Sequence, residues 1–367
     1  MEKFNLKWNY TNKLVNGLLK IDRAKEVIDL LELPVSIEEE IKKETMVKRV
    51  HYSTKIEGND LKLNDVKEVI ENNKESHERN VLEVRNYFNA LIYLNKEAEK
   101  NNTITEELIL KTHNLVSGKH LTYKNDFRVD QNVVKDPKTG TIVYIPPEAK
   151  DVGNLINQMI KEFNGKNTND VPIPIKAGIV AYEFVTIHPF WDGNGRLSRL
   201  LATYILKAYG YDLKGFYVVE EFYDKNINDY YNSLQMGLHH NFYFGRKDAD
   251  ITQWLEYFIE TMSNTFEAVG ERVKEIYKNS KKEINIIDTL DKRERWVAHY
   301  IFTKNKIKAK DIANHFKINI DTANNWIKKW IEKDFLERFD DKQIRNVDYV
   351  LTKKYYNELN KPKISRK

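Results

Sequence analysis

The chain of 367 residues contains no cysteine, which excludes disulfides, thiolate zinc sites and a cysteine nucleophile. It also lacks any apolar run approaching the ~20 residues that cross a bilayer. The opening segment MEKFNLKWNY has no apolar signal-peptide core. The expected setting is therefore cytoplasmic, with no membrane partner. Charge of one sign is scarce too: 60 Lys and Arg against 55 Asp and Glu leave only +5. That balance permits an acidic partner without demanding nucleic acid. No internal repeat or low-complexity tract stands out. What is present is 41% hydrophobic and 12% aromatic residues, enough for a core, under a surface supplied by 31% charged residues. The length accommodates one large domain and a small one.

The most informative stretch runs Ile187-His188-Pro189-Phe190-Trp191-Asp192-Gly193-Asn194-Gly195-Arg196-Leu197-Ser198-Arg199. Gly193 and Gly195 can take positive φ, and Asn194 between them tolerates left-handed geometry, so the backbone can curl its N–H groups into an anion nest. Leu197, Leu200, Leu201, Tyr204 and Ile205 repeat at helical spacing, which puts the nest on a helix N-terminus, where anions are favoured. Arg196 and Arg199 stand three apart on the first turn, able to fork onto phosphate oxygens. His188 can take a proton from an incoming nucleophile, and a lone carboxylate such as Asp192 beside phosphates is the usual protein contribution to Mg²⁺. The plain alternative is a Pro/Gly loop with a core histidine and a solvated charged face. So many concordant residue types in one short stretch weigh against it.

This stretch resembles the signature of the Fic family, HPFxxGNGRxxR, at every defined position. The resemblance implies a mainly α protein: an all-helical Fic core with a β-hairpin flap. It implies that His188 deprotonates a target hydroxyl and that Asp192 holds Mg²⁺. Gly193, Asn194 and Gly195 would form the hole for the α- and β-phosphates of ATP, with Arg196 on the β- and Arg199 on the γ-phosphate. The family's usual reaction is adenylylation (AMPylation) of a protein side chain. A subgroup with lysine at the position of Gly195 phosphorylates instead, so glycine favours AMP transfer.

Upstream, a helical run from about Leu14 to Leu31 ends at Pro34. The spacing of Ser36 and Glu39 reads as a capping box and Gly58 as a helix stop, which predicts a helix over Ile37–Glu57. Ser53 and Glu57, four apart, share a face of it; a serine and a glutamate near a helix end are ordinarily just solvated. The resemblance adds that Ser53, Glu57 and Gly58 match the inhibitory motif [S/T]xxxE[G/N] of self-inhibited Fic proteins, on a helix of about residues 36–58. Residues from Asn64 to about Lys100 read as helical, and Thr105 as the cap of a helix reaching Gly118, whose His113 reads as structural. Two β-rich runs around the turn Asp136-Pro137-Lys138-Thr139-Gly140 predict a hairpin, or else a surface excursion bridging two helices. In the family a hairpin at this place holds the target by strand addition, which makes Ile142, Val143, Tyr144 and Ile145 the flap residues. Val152–Phe163 is amphipathic, and Pro174 fits the first turn of the helix that delivers His188. Phe190 is expected to anchor the loop in the core. Tyr231, in the pair Tyr230-Tyr231, is the resemblance's candidate for a nucleobase wall, although the pair alone reads as packing. Residues 251–278 read as a closing helix.

The predicted division is a Fic domain over 1–280 and a second domain over 283–360. Helices over Arg293–Phe302, Ala309–Phe316 and Asp321–Lys333, followed by strands over Phe335–Phe339 and Val347–Leu351, resemble a winged helix-turn-helix. Ala323, Trp326, Ile327, Trp330 and Ile331 form the buried stripe of its third helix. Asn324, Asn325, Lys328, Lys329 and Lys333 are left outside; DNA binding through that face is open but not favoured, because the domain has no concentrated basic run. The leading expectation is an ATP-dependent protein adenylyltransferase, self-inhibited by Glu57, acting on Tyr, Ser or Thr of an unnamed protein or on itself. Removal of AMP and a homodimer are further implications of the resemblance. The alternatives are a DNA-binding regulator with a nucleotide-sensing Fic domain, and transfer of another phosphate-linked group.

Overall fold

In this computed structural model the structure describes residues 4–72, 77–118, 126–136, 139–165, 170–280, 290–340 and 346–359. The chain divides into two compact units, one of residues 1–30 and 44–271, the other of residues 31–43 and 272–367. The expected break near Glu283 falls outside the described residues. The unexpected part of the division is the assignment of residues 31–43 to the second unit.

The first unit is helical, with one hairpin. Its elements are α1 (Asn12–Leu30), the end of α2 (Val35–Ile56), α3 (Leu63–Asn72), α4 (Arg79–Ala98), α5 (Glu106–Ser117), the strands β1 (Val134–Lys135) and β2 (Ile142–Tyr144), α6 (Ala149–Asn164), α7 (Ile173–Ile187) and α8 (Asn194–Ala208). The short α9 (Val219–Lys225) and α10 (Ile227–Gln235) follow, then the part of the long α11 (Thr252–Ser280) up to residue 271. The pair α7 and α8 forms its centre. Each has 12 of 15 residues buried, the mark of a helix surrounded by other elements rather than lying on a surface. Ser198 Oγ donates to Ala181 O at 2.8 Å and Trp254 Nε1 to Gly178 O at 2.8 Å, fixing α8 and α11 against α7. Phe184, Ile187, Leu197, Leu200 and Leu201 are fully buried along this seam. The loop between α7 and α8 is the signature stretch, so its two ends are held by the most buried helices of the unit.

Several predicted boundaries shift. The helical run from Asn64 to about Lys100 is divided between two helices, α3 and α4. Thr105 does cap α5, its side chain accepting from Leu108 N–H. Pro174 lies in the first turn of α7. The capping box at Ser36 does not form: α2 already begins at Val35, and Pro34 O accepts from Ile37 and Glu38 N–H. Glu39 faces His299 and Lys42 at 3.0 and 3.3 Å instead. Gly58, at φ +91°, closes the other end. Of the predicted hairpin turn, Pro137 and Lys138 lie outside the described residues.

The second unit contains α12 (Lys292–Lys304), α13 (Ala309–Phe316), α14 (Ile320–Glu332), an antiparallel pair β3 (Leu336–Arg338) and β4 (Tyr349–Leu351), and α15 (Lys353–Leu359). Three helices and a hairpin are as expected; α15 was not, and its Tyr355 completes the core around Trp330, Phe335 and Leu351. Ala323, Ile327 and Trp330 are buried and Trp326 packs against them, but Ile331 is 40% exposed and leaves the predicted stripe. Lys333 is not a spare surface cation either. It donates to both carboxylate oxygens of buried Glu294 at 2.8 and 2.9 Å.

Candidate active site

His188 is the C-cap of α7, in left-handed geometry at φ 52° and ψ 57°. A non-glycine residue there costs roughly 1–2 kcal/mol, so other contacts must hold it. Its N–H donates to Phe184 O at 3.1 Å. Its carbonyl accepts from Arg128 Nε at 3.0 Å, and the next carbonyl, of Pro189, accepts from Arg128 N–H at 2.9 Å. The same guanidinium reaches Asp130 O at 3.1 Å and Pro147 O, on the two flanks of the hairpin. Arg128 is thus a buried fork joining the base of the hairpin to the backbone of His188.

The histidine ring is oriented as well. Nδ1 lies 3.2 Å from Val185 O, so Nδ1 carries the proton and Nε2 keeps the lone pair. Burial pushes the imidazole down to about 4, against the pull of the Val185 carbonyl. At neutral pH the ring is uncharged and able to accept a proton.

The rest of the loop is pinned from inside. Phe190 is buried as expected and stacks on His113, with ring centroids 3.6 Å apart and planes within 3°. His113 Nε2 is 3.1 Å from Asp192 O, and burial pushes this imidazole down to about 4 as well. Its helix position reads as structural, and structural it is, but the structure it supports is the signature loop. Asn194 also turns inward: Oδ1 accepts from Phe190 N–H at 2.9 Å and Nδ2 donates to Phe190 O at 2.8 Å. The side chain thus braces the loop from both its oxygen and its nitrogen.

The predicted nest is also simpler than expected. Gly193 alone takes positive φ, at 83°, while Asn194 and Gly195 already belong to α8. What faces outward is the first turn of that helix, whose N–H groups lack intrahelical acceptors. Arg196 and Arg199 flank it, both nearly buried and both paired with carboxylates. Arg196 donates to Asp192 Oδ2 at 2.8 Å, and Gly193 N–H to Asp192 Oδ1 at 2.6 Å. Burial would raise Asp192, yet Arg196 holds it below its ordinary value. Among the described residues no three His, Cys, Asp or Glu side chains gather as a metal site. A single half-exposed carboxylate beside a predicted phosphate position nevertheless fits Mg²⁺, which takes one or two carboxylates and completes its shell from substrate and water.

Arg199 is met by the end of α2. Its Nε donates to Ser53 Oγ at 2.9 Å, and its terminal nitrogen to Ser53 O at 2.8 Å and Glu57 Oε1 at 2.9 Å. Desolvation opposes the charge on Arg199, but Glu57 holds it firmly protonated. The approach is close enough that a Cβ on Gly195 would collide with Glu57 Oε1. Two residues predicted from a short motif thus converge on one predicted phosphate ligand, 142 positions away in sequence.

The remaining predicted residues are less concentrated. Ile142 is 48% exposed and Val143 half-buried, but Tyr144 is buried with its hydroxyl on Thr186 O at 2.6 Å. Ile145 is no free edge: its N–H donates to His240 O at 2.8 Å and its carbonyl accepts from Phe242 N–H at 3.0 Å. Tyr231 is 42% exposed, its hydroxyl 3.5 Å from Ile56 O at the end of α2. Arg128 is the residue that sequence reasoning missed, since nothing in its spacing connects it to His188.

Residues 103–206 match the Fic/DOC family. That Fic segment spans α5 to α8 and includes the hairpin and the whole signature loop; α2 lies outside it. Protein adenylyltransferase Fic of Nematostella vectensis is 30% identical over 203 residues, covering 54% of this chain and 44% of that protein. The protein of the same name from Drosophila virilis is 28% identical over 201 residues, covering 53% and 39%. The chain spans less than half the length of these curated relatives. Among solved structures, a Fic family protein from Desulfovibrio desulfuricans G20 superposes with a TM-score of 0.58 at 21% identity, covering 94% of this chain and 98% of the other. A Fic domain containing signaling protein from Bacteroides thetaiotaomicron VPI-5482 gives 0.60 at 17% identity, over 74% and 99%. At these identities the likeness is one of fold. No helix among the described residues is long and apolar enough to cross a membrane.

Proposed function

We propose that this chain is an ATP-dependent protein adenylyltransferase held in check by Glu57. The observation that carries the proposal is the meeting, within one loop and one helical turn, of a neutral histidine and two nearly buried arginines at a helix start. The similarity to proteins named as adenylyltransferases supports it. A target hydroxyl gives its proton to His188 Nε2 as its oxygen attacks the α-phosphorus of ATP. The bond to the β-phosphate bridging oxygen breaks, AMP stays on the target, and pyrophosphate leaves. Arg196 and Arg199 face the developing charge on that leaving group, and being preorganised they need little rearrangement to stabilise it. Asp192, released from Arg196 as the β-phosphate takes the guanidinium, would hold Mg²⁺, which when bound neutralises charge on the α- and β-phosphates. Glu57 occupies the guanidinium that the γ-phosphate needs, so ATP binds with its α-phosphorus out of line. With water attacking the phosphorus of the modified target, and its proton passed through His188 to the target oxygen as that bond breaks, the same site releases AMP and the free hydroxyl.

The second unit we read as a winged helix-turn-helix concerned with choosing partners rather than with chemistry. The experiment is incorporation of label from ATP carrying it at the α- or the γ-phosphate, with the protein alone and with cell lysate. Label on protein from the α-position is expected. Label only from the γ-position would make the protein a kinase and overturn the reading.

A further inference from the structure

Away from the loop, α7 carries two ionisable side chains on its other side that the chemistry above does not use. Lys176 and Glu183 are 7% and 3% exposed. Both line a cavity of about 260 Å³ between α6, α7 and the N-terminal segment, walled by Phe4, Trp8 and Phe163. That segment is held in place by backbone hydrogen bonds, Asn5 N–H to Lys247 O at 2.7 Å and Lys7 N–H to Ala249 O at 2.9 Å. Nothing among the described residues pairs with Glu183, and the ammonium of Lys176 has only the ring of Phe163, 6.0 Å away. Seven positions apart, they lie two turns apart on one face, with roughly 10 Å between their Cα atoms, and they do not reach one another. Glu162, also at the rim, is already engaged by Gln158 Nε2 at 2.8 Å.

Both side chains line the cavity, where their charged ends need water or a ligand in place of a protein partner. A core-facing lysine and glutamate that merely packed would be expected to find each other or a backbone group. Instead they stand at separate points of one aromatic-walled cavity, an amine and a carboxyl with room between them. We propose that this cavity binds a small zwitterion, its ammonium held by Glu183, its carboxylate by Lys176, and a short apolar spacer lying against Phe4, Trp8 and Phe163. The occupant supplies both missing partners at once, and each charge-assisted hydrogen bond it forms is of the strong kind. Burial pushes the carboxyl of Glu183 up to about 8, so it ionises as the ammonium arrives and binding releases a proton.

The test uses the full chain and three probes of equal length: δ-aminovalerate, valerate and n-pentylamine. Binding is followed by calorimetry and ligand-observed NMR, neither of which depends on AMP transfer. δ-Aminovalerate is expected to bind about tenfold or more tighter than either singly charged probe, the difference that one charge-assisted hydrogen bond makes. Glu183→Gln should lower its affinity to that of valerate, and Lys176→Met to that of n-pentylamine. The comparison of probes on the unmodified protein stands even if a variant folds poorly. Equal binding of δ-aminovalerate and a singly charged probe overturns the proposal, as does affinity unchanged in both variants, or no binding of any probe at millimolar concentration.

Discussion

Replacing Glu57 by glycine should raise AMP transfer by about 10²-fold. The figure comes from the contact itself. Glu57 Oε1 sits 2.9 Å from the Arg199 nitrogen, with Arg199 and Glu57 side chains 5% and 29% exposed. Two unit charges about 4 Å apart attract by ~4 kcal/mol at an effective dielectric near 20. Water at the partly exposed glutamate reduces this, and ~2–3 kcal/mol is left to compete with the γ-phosphate, which corresponds to about two decades. An independent route gives the same order: displacing a reacting group by ~1 Å costs ~10²-fold in rate. The assay is incorporation from α-labelled ATP by the unmodified protein, Glu57→Gly, Glu57→Gln, and Glu57→Gly combined with Arg199→Ala. Glutamine keeps the size and one hydrogen bond but not the charge, so it should fall between the first two. The double variant should lose the gain, because both residues act through one contact. No rise in Glu57→Gly refutes the inhibitory reading; a rise that survives loss of Arg199 refutes the mechanism given for it.

Three further outcomes are expected. His188→Ala in the Glu57→Gly background should lower transfer ~10²–10⁴-fold, the usual worth of a general base, while ATP affinity measured by calorimetry stays within a few-fold. Arg128→Lys in the same background should lower kcat about tenfold or more with little change in KM for ATP, since lysine cannot serve the carbonyls of His188, Asp130 and Pro147 together; unchanged kcat would show that the fork does not position the base. Finally, His113 has a folded value of about 4 against 6.5, so between those values the unfolded chain binds more protons. Stability is full above about pH 6.5 and falls as pH drops toward 4, by at most ~3 kcal/mol from this residue. His113→Gln should flatten the dependence of Tm on pH across that window, and an equally steep slope would assign the acid loss elsewhere.

How much of this was legible in the sequence depended on whether an interaction is local. The residue types that mark the signature loop, the capping of α5 by Thr105 and the first-turn Pro174 in each case stand within a few residues of one another in the sequence, and spacing reveals them. Ser53 and Glu57 were legible only through a motif, because their partner Arg199 lies 142 or more positions away. The side chain of Asn194 was not legible because its residue type fits both a left-handed turn and a loop brace; here it bonds the backbone of Phe190. The fork at Arg128 and the pairing of Lys333 with Glu294 join segments whose approach no periodicity encodes. Ser36 and Glu39 show the opposite error: the capping-box spacing is present, but Pro34 starts the helix earlier and ion pairs claim the glutamate.

The hydrogen bonds between α2 and Arg199 join two parts of the same chain, which sets the terms of the proposed inhibition. Glu57 acts as a tethered ligand whose effective concentration at Arg199 is fixed by the fold, at the millimolar level or above for well-placed tethers. Dilution, expression level and dialysis leave that concentration unchanged. If Glu57 inhibits as proposed, it cannot be titrated away by making more protein or less of it. On the proposed reading, the set point moves only when the end of α2 does.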